Sequence, residues 1–204
     1  MQLCVHAIGD RGNRITLDLF EAMFENEPLP SKLRWRVEHA QHLHPEDIPR
    51  FSELGVIAAM QAVHCTSDAP FVIKRLGERR ASEGAYAWRS LLDAGAVVTN
   101  GTDAPVEDVD PLNSFYASVT RKRPGEEEPF MPHQKISREE ALYSYTMANA
   151  FAGFEENIKG SLTPGKLADL VILDNNLLTC DDEAILDTRV EYTIVGGKIA
   201  YQRE

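Results

Sequence analysis

Two histidines and one aspartate stand where short apolar runs give way to polar sequence. His6 follows Gln2–Val5, His39 closes the run from Leu33, and Asp103 comes just after Val97-Val98-Thr99-Asn100. Imidazole nitrogens and carboxylate oxygens are donors that suit zinc and related divalent ions, and an aspartate serves equally as a general base. If each run is a strand of one parallel sheet, the three groups emerge at the same edge, because parallel strands point their carboxyl ends one way. Asp103 taken singly is ambiguous, since Thr102-Asp103-Ala104-Pro105 is also ordinary turn sequence. A lone strand-terminal histidine says as little. Three such groups at matched positions point to metal-assisted or acid–base chemistry.

Other candidates carry a second reading beside the functional one. His64, past the third apolar run, reads as a substrate contact or as a hydrogen-bonded loop histidine. Arg89 reads as a partner for an anionic substrate group or as half of a helix-face salt bridge. His42-Leu43-His44 has ligand spacing but leads straight into Pro45, which makes it a loop pair. Cys65 lacks a motif and reads as a buried thiol. Glu126-Glu127-Glu128 is a solvated loop, and Gly9 and Gly12 lack the spacing of a phosphate cradle.

The elements that must position these residues alternate. Strands are expected at Gln2–His6, Leu33–His39, Val56–Gln61 and Ala96–Asn100. Helical spacing runs from Asn13 to Glu25, with Pro28 and Pro30 closing the unit. A helix opens on His44-Pro45-Glu46-Asp47 and stops at Gly55, where a C-cap glycine belongs. Ala62–Cys65 is expected as loop, Pro70–Leu76 and Ala85–Ala94 as helix, and the stretch between Asp103 and Ser137 as a long polar loop. Ser137-Arg138-Glu139-Glu140 has capping-box spacing ahead of a helix reaching Ala152. The alternation predicts parallel βαβ units over 1–153. Character changes near Phe154, and 154–204 reads as a β-subdomain. Strands are expected at Lys166–Leu173 and on either side of the Gly196-Gly197 turn.

Composition narrows the partners. The 204 residues are 43% hydrophobic and 26% charged, an ordinary globular balance. Lys and Arg number 21 against 32 Asp and Glu, a net charge of −11, which leaves no basic stripe for nucleic acid or an anionic membrane. No apolar run approaches the ~20 residues of a membrane span. Three scattered cysteines without a CxxC pair suggest neither a zinc knuckle nor a disulfide framework and fit a reducing cytoplasm.

Val5-His6-Ala7-Ile8-Gly9-Asp10, Glu38-His39-Ala40-Gln41 and Gly101-Thr102-Asp103-Ala104-Pro105-Val106 resemble metal-site motifs of the amidohydrolase superfamily. The resemblance is to the amidohydrolase-3 group, with its YtcJ-like metal-dependent hydrolases and N-substituted formamide deformylases. Gly84–Leu92 resembles the helix before that group's final barrel strand, and Gly160–Leu170 the entry to its carboxyl-terminal β-subdomain. The match runs from about Leu3 to Tyr201, with the motifs in order.

The resemblance implies strands five to eight of a (β/α)8 barrel, followed by part of a small β-sandwich subdomain. It makes His6 the strand-five ligand, His39 the strand-six ligand and Asp103 the strand-eight aspartate, which both ligates and relays a proton to the leaving nitrogen. The cofactor implied is a divalent metal, zinc above all, and the substrate a small molecule with an amide-type, non-peptide C–N bond. The His-x-His pair of strand one and the ligand of strand four have no counterpart here, so the chain is expected to hold half of such a site. The alternative is a catalytically incompetent remnant. Either version is expected to self-associate or to pair with the missing amino-terminal half, because four parallel strands leave open edges and an unpacked inward face carrying Val5, Val37, Ala59 and Val98.

Overall fold

A computed structural model describes residues 1–25 and 29–204. Four short strands, β1 (Cys4–Ala7), β2 (Arg36–His39), β3 (Ile57–Met60) and β4 (Val98–Asn100), form a parallel sheet in the order β1-β2-β3-β4. The four expected strands are present, each starting later than expected, and β1 runs one residue past His6 to Ala7. Leu33, expected in β2, instead closes a 3-10 turn over Pro30–Leu33. Pro28 lies outside the described residues.

Register decides which face each residue serves. Val5, Val37, Ala58 and Val98 lie side by side across the sheet, and this row packs into the main core with Leu17, Phe20, Phe51 and Leu91. The opposite face carries Cys4 and His6, both exposed, with Arg36 and Glu38 ion-paired beside them. The expected inward set of Val5, Val37, Ala59 and Val98 is therefore split. Ala59 follows Ala58 by one residue, and the pleat sends successive side chains to opposite faces. The three valines face the helices, and Ala59 shares its row with His6, Glu38 and Thr99.

Helices flank the sheet. α1 (Asp10–Phe24) starts three residues before the expected Asn13 and buries Leu17, Phe20 and Phe24. α2 (Ile48–Leu54) follows a 3-10 turn at Pro45–Asp47 and ends on Gly55, whose φ of 66° is the left-handed cap expected there. α3 (Ala62–Leu76) overturns the loop expected at Ala62–Cys65. Its first free amides are satisfied from outside the helix, Ala62 N donating to Asn100 Oδ1 (2.9 Å) and Val63 N to Ser114 Oγ (3.0 Å). Of the helix expected over Ala85–Ala94 only α5 (Trp88–Asp93) forms; α4 (Glu78–Gly84) precedes that stretch and was not expected, and between the two Tyr86 takes a left-handed φ of 52°.

The long polar loop after Asp103 also needs correcting. It contains α6 (Pro111–Thr120), with Asp110 capping Leu112 N at 2.9 Å and Pro111 in the first turn. Phe115, Tyr116 and Val119 are buried on it. Arg121, just past its end, is wholly buried. Its guanidinium lies 4.5 Å over the Trp88 ring and donates to the Phe130 and Tyr86 carbonyls at 2.6 and 2.9 Å. The capping box at Ser137 forms as expected and opens α7 (Arg138–Tyr145), while a break at Thr146 makes α8 (Met147–Ala152) a separate helix.

The last segment carries α9 (Ala184–Asp187) and an antiparallel sheet of β5 (Leu170–Leu173), β6 (Val190–Val195) and β7 (Lys198–Gln202). Gly196 and Gly197 make its turn with φ of 57° and 76°, which two side-chain-bearing residues would resist. Arg34, just before β2, clamps the junction. It pairs with Glu156 at 2.6 Å and lies 3.8 and 4.3 Å over the Phe151 and Phe154 rings. Among the described residues no helix is long and apolar enough to cross a membrane.

The hydrogen bond from Arg34 holds the Glu156 carboxyl down to about 2, below its ordinary value. A depressed carboxylate pKa adds stability above the unfolded value, and that increment is lost as pH falls through the folded value. The stability difference between wild type and Glu156→Gln should therefore be constant above about pH 5 and shrink toward pH 2 in urea titrations. A difference independent of pH over that range would show that the pair adds nothing through its charge.

Candidate metal centre

The carboxyl ends of the four parallel strands share one edge, and the polar groups gather there. His39 is the last residue of β2, and both His39 (φ 75°) and Ala40 (φ 45°) are left-handed. Two such residues in succession turn the chain sharply at the strand end, a conformation unfavourable for side-chain-bearing residues and concentrated at functional sites. Asp103, three residues beyond β4, is left-handed as well, with φ 58°. His64 belongs to the first turn of α3, directly after β3.

These three converge. His39, His64 and Asp103 each offer a ligand atom, and the atoms all lie within 4.8 Å of one another. His64 Nε2 stands 4.0 Å from Asp103 Oδ2, and the His39 and His64 rings lie near-parallel with centroids 6.0 Å apart. Among the described residues this is the one group of three or more histidine, cysteine or acidic side chains placed to share an ion. His6 stays outside it. Its ring meets that of His39 edge-on at a centroid distance of 4.6 Å, exposed on the sheet face.

Several features fit the group to a divalent cation. His64 is only 8% exposed, yet its Nε2 has no hydrogen-bond partner. A buried donor or acceptor left bare in this way is costly unless a ligand completes it. Burial also pushes the His64 imidazole below its ordinary pKa, against the pull of Glu107, Asp103 and Asp68, and so favours the neutral ring that ligation needs. His39 Nδ1 lies 2.8 Å from Gln61 Oε1, while Gln61 Nε2 is turned to the Ala59 carbonyl at 3.4 Å. With its amide oriented so, Gln61 accepts the proton of Nδ1 and leaves Nε2 of His39 as the free lone pair, the usual outer support of a ligating histidine.

The frame behind the group is polar and buried. Asn100, the last residue of β4, accepts from Ala62 N and Gly101 N through one side-chain oxygen and donates to Ser118 Oγ at 3.0 Å. The Gly101 carbonyl accepts from Ser114 and Tyr145, each at 3.2 Å. At the other end of the sheet, Asn13 Nδ2 donates to the carbonyls of Ala7 and Gly9 at 3.2 and 2.9 Å, holding the turn out of β1.

His64 and Arg89 each carry a substrate reading and a plainer one. His64 is not a loop histidine: it lies in the first turn of α3, which begins at once after β3, and stands with His39 and Asp103 in the group that could share an ion. Arg89 is taken by Asp93 (2.8 Å) and by both oxygens of Glu140 (2.7 and 2.8 Å), which ties α5 to α7 and leaves it no role at the cluster. Gln61 and Asn100 were not singled out by the sequence. Their one signal is position: each is an amide residue at the carboxyl end of a buried apolar strand, where a polar side chain needs a reason.

Parallel strands with histidine and aspartate gathered at their carboxyl edge define an α/β protein with a candidate metal centre. A family model described as "Amidohydrolase family" matches residues 1–201, and the chain belongs to that family. It is 39% identical over 203 residues to Protein LONG AFTER FAR-RED 3 of Arabidopsis thaliana, which covers 98% of this chain and 34% of that protein. To the N-substituted formamide deformylase of Arthrobacter pascens it is 28% identical over 204 residues, 100% of this chain and 37% of the relative. Among solved structures, an uncharacterized metal-dependent hydrolase from Pyrococcus furiosus superposes with a TM-score of 0.73 at 32% identity, covering 88% of this chain and 34% of that one. The chain thus spans about a third of the length of the relatives it matches.

Replacing Gln61 by Leu should lower the chain's affinity for cobalt(II) or zinc about 10- to 100-fold while leaving its urea midpoint nearly unchanged. Equilibrium dialysis of the two proteins checks this. Equal affinities would reduce Gln61 to a packing role.

Proposed function

We propose that residues 1–204 carry the His39–His64–Asp103 portion of a metal-dependent hydrolase site that opens an amide-type C–N bond outside peptides. The observation that carries this reading is the convergence of two histidines and an aspartate at the shared edge of a parallel sheet. The deformylase relative supports the bond class, since an N-substituted formamide is a non-peptide amide. In this reading the sheet is strands five to eight of a (β/α)8 barrel, with 1–153 in the barrel and 154–204 in a β-subdomain. The outer edges of β1 and β4 then meet the remaining strands, supplied by the same polypeptide, by a partner or by a second copy.

Zinc is the ion that a set of imidazole and carboxylate donors suits best. When bound, it supplies Lewis acidity, polarising a carbonyl and bringing the pKa of a water within its reach toward about 7. His39 and His64 would hold the ion, the first with its tautomer set by Gln61. His6, beside His39 on the open sheet face, would be a further ligand in the complete barrel. Asp103 is the residue that moves the proton. Its side chain is 38% exposed, so substrate can reach it, and it lies opposite His64. It accepts a proton from the attacking water at its carboxylate and returns it to the leaving nitrogen.

In a complete barrel containing residues 1–204, Asp103→Asn should cut formate release from an N-substituted formamide by about 10²- to 10⁴-fold with the fold intact. Turnover within a few-fold of wild type would return Asp103 to a turn role.

A further inference from the structure

Helix α1 presents three distinct flanks, since residues three and four apart share a side. Leu17, Phe20 and Phe24 face the sheet and are buried. Arg14, Asp18 and Glu21 form the flank toward α2, and all find partners there. Arg14 pairs with Asp47 at 2.9 Å, and the two acids pair with Arg50 at 2.8 and 2.7 Å. Ile15, Leu19 and Met23 stand one turn apart along the opposite flank, exposed at 48, 60 and 59%. Gly12 and Ala22 widen this stripe, and no charged residue interrupts it. A ridge of large apolar side chains left in water, on a helix whose other flanks are engaged, marks an interaction surface.

The sheet is open on the same side. β1 ends the order β1-β2-β3-β4 and meets β2 alone among the described strands. The Leu3 carbonyl accepts from Arg36 N and the Ala7 carbonyl from Ala40 N, so alternate residues turn their backbone toward β2. Cys4 and His6, between them, turn their N–H and C=O groups outward, a template for another strand. Edge and stripe adjoin. α1 crosses from β1 to β2 and α2 from β2 to β3, so the flank of α1 turned away from α2 lies beyond β1.

A second copy of the chain fits this surface poorly. Pairing about a two-fold axis would run β1 against β1 antiparallel, with only Cys4 and His6 of each strand to bond across. Three large apolar side chains from each copy fall well short of the ~800 Å² per partner that a stable interface buries. A parallel strand with its own helix fits in full. A right-handed crossover into β1 sets that helix on the same face of the sheet as α1 and beside it, against Ile15, Leu19 and Met23. The chain spans about a third of the relatives it matches, so in them the length for such a unit is available.

We infer that the β1 edge and the flank of α1 carrying Ile15, Leu19 and Met23 form one docking surface, and that its occupant is a βα unit of the polypeptide that completes the sheet. The strand of that unit runs parallel to β1 and pairs with Cys4 and His6. Its helix is amphipathic, with apolar residues at three- and four-residue spacing laid along the α1 ridge. A parallel strand brings its carboxyl end beside His6, so docking delivers a further side chain to the edge that holds His39, His64 and Asp103. The inference rests on the barrel reading for the direction of the strand, and on the bare flank and edge for its place.

The probe is the part of the Arabidopsis relative that lies outside the match, co-expressed as a separate chain with tagged residues 1–204. The two should co-purify in equal amounts. Leu19 is exposed in the chain alone, so Leu19→Glu should leave the urea midpoint of residues 1–204 unchanged. It should lower recovery of the complex about tenfold or more, because docking buries the new charge, while Leu19→Met keeps recovery near wild type. Hydrogen exchange at the Cys4 and His6 amides should slow about tenfold or more on docking. Failure of the wild-type chains to co-purify, or recovery indifferent to Leu19→Glu, overturns the inference. So does a dimer of residues 1–204 that Leu19→Glu breaks apart, which would make a second copy the occupant. Zinc-dependent formamide hydrolysis by a complex whose Cys4 and His6 amides stay unprotected keeps the hydrolase and overturns the docking. Protected amides without hydrolysis support the docking and remove the hydrolase reading instead.

Discussion

The side chain of Asn100 holds the arrangement at the sheet edge together. A helix that begins immediately after a strand leaves its first amides without partners, and burying them bare would cost about 1–3 kcal/mol each. Asn100 reaches across from the neighbouring strand to take Ala62 N, and Ser114 takes Val63 N from α6. With those amides satisfied, α3 can start without a linker, and His64 arrives in its first turn against Asp103. The same oxygen of Asn100 accepts from Gly101 N, so one amide fixes both the helix that carries the histidine and the turn that carries the aspartate.

Charge is distributed to match. Arginines on the helical side are engaged in structural work: Arg14 and Arg50 converge on the buried Asp47, Arg89 joins α5 to α7, and Arg121 lies over Trp88 inside the core. The carboxylates around His64 have neutral donors in place of arginines. A guanidinium there would have satisfied the acids and competed with a bound cation for them. Tyr86, Gln41 and Ser67 orient the acids and leave the negative potential standing. Left-handed backbone at His39, Ala40 and Asp103 belongs to the same economy of space, since each lets a side chain turn back over the strand ends.

Membership of the amidohydrolase family accounts for the parallel sheet and the polar edge. It does not account for which side chains meet. His6 and His39 occupy adjoining strands, and their rings meet edge to face, yet His64 from the next element completes the group of three with Asp103. The distinction is geometric: a strand-terminal residue is carried past the edge by the turn that follows it, and those turns differ between β1 and β2.

Much was legible in the chain itself. Period-two and period-3.6 apolar spacing placed the strands and most helices, Gly55 and Ser137 marked helix ends, and Gly196-Gly197 marked a hairpin, because these signals are local. The motifs around His6, His39 and Asp103 named the chemistry for the same reason. What the sequence could not settle was whatever depends on partners distant in the chain. The helical start at Ala62 rests on Asn100 and Ser114, and α6 shows no apolar stripe because Ser114 to Thr120 are buried without a break, its hydroxyls satisfied by nearby carbonyls. The face served by each valine follows from inter-strand register, which a one-residue slip reverses. The placing of His64 with the ligands, and of Arg89 away from them, was decided by tertiary structure alone, since each turns on which carboxylate a side chain meets across the fold.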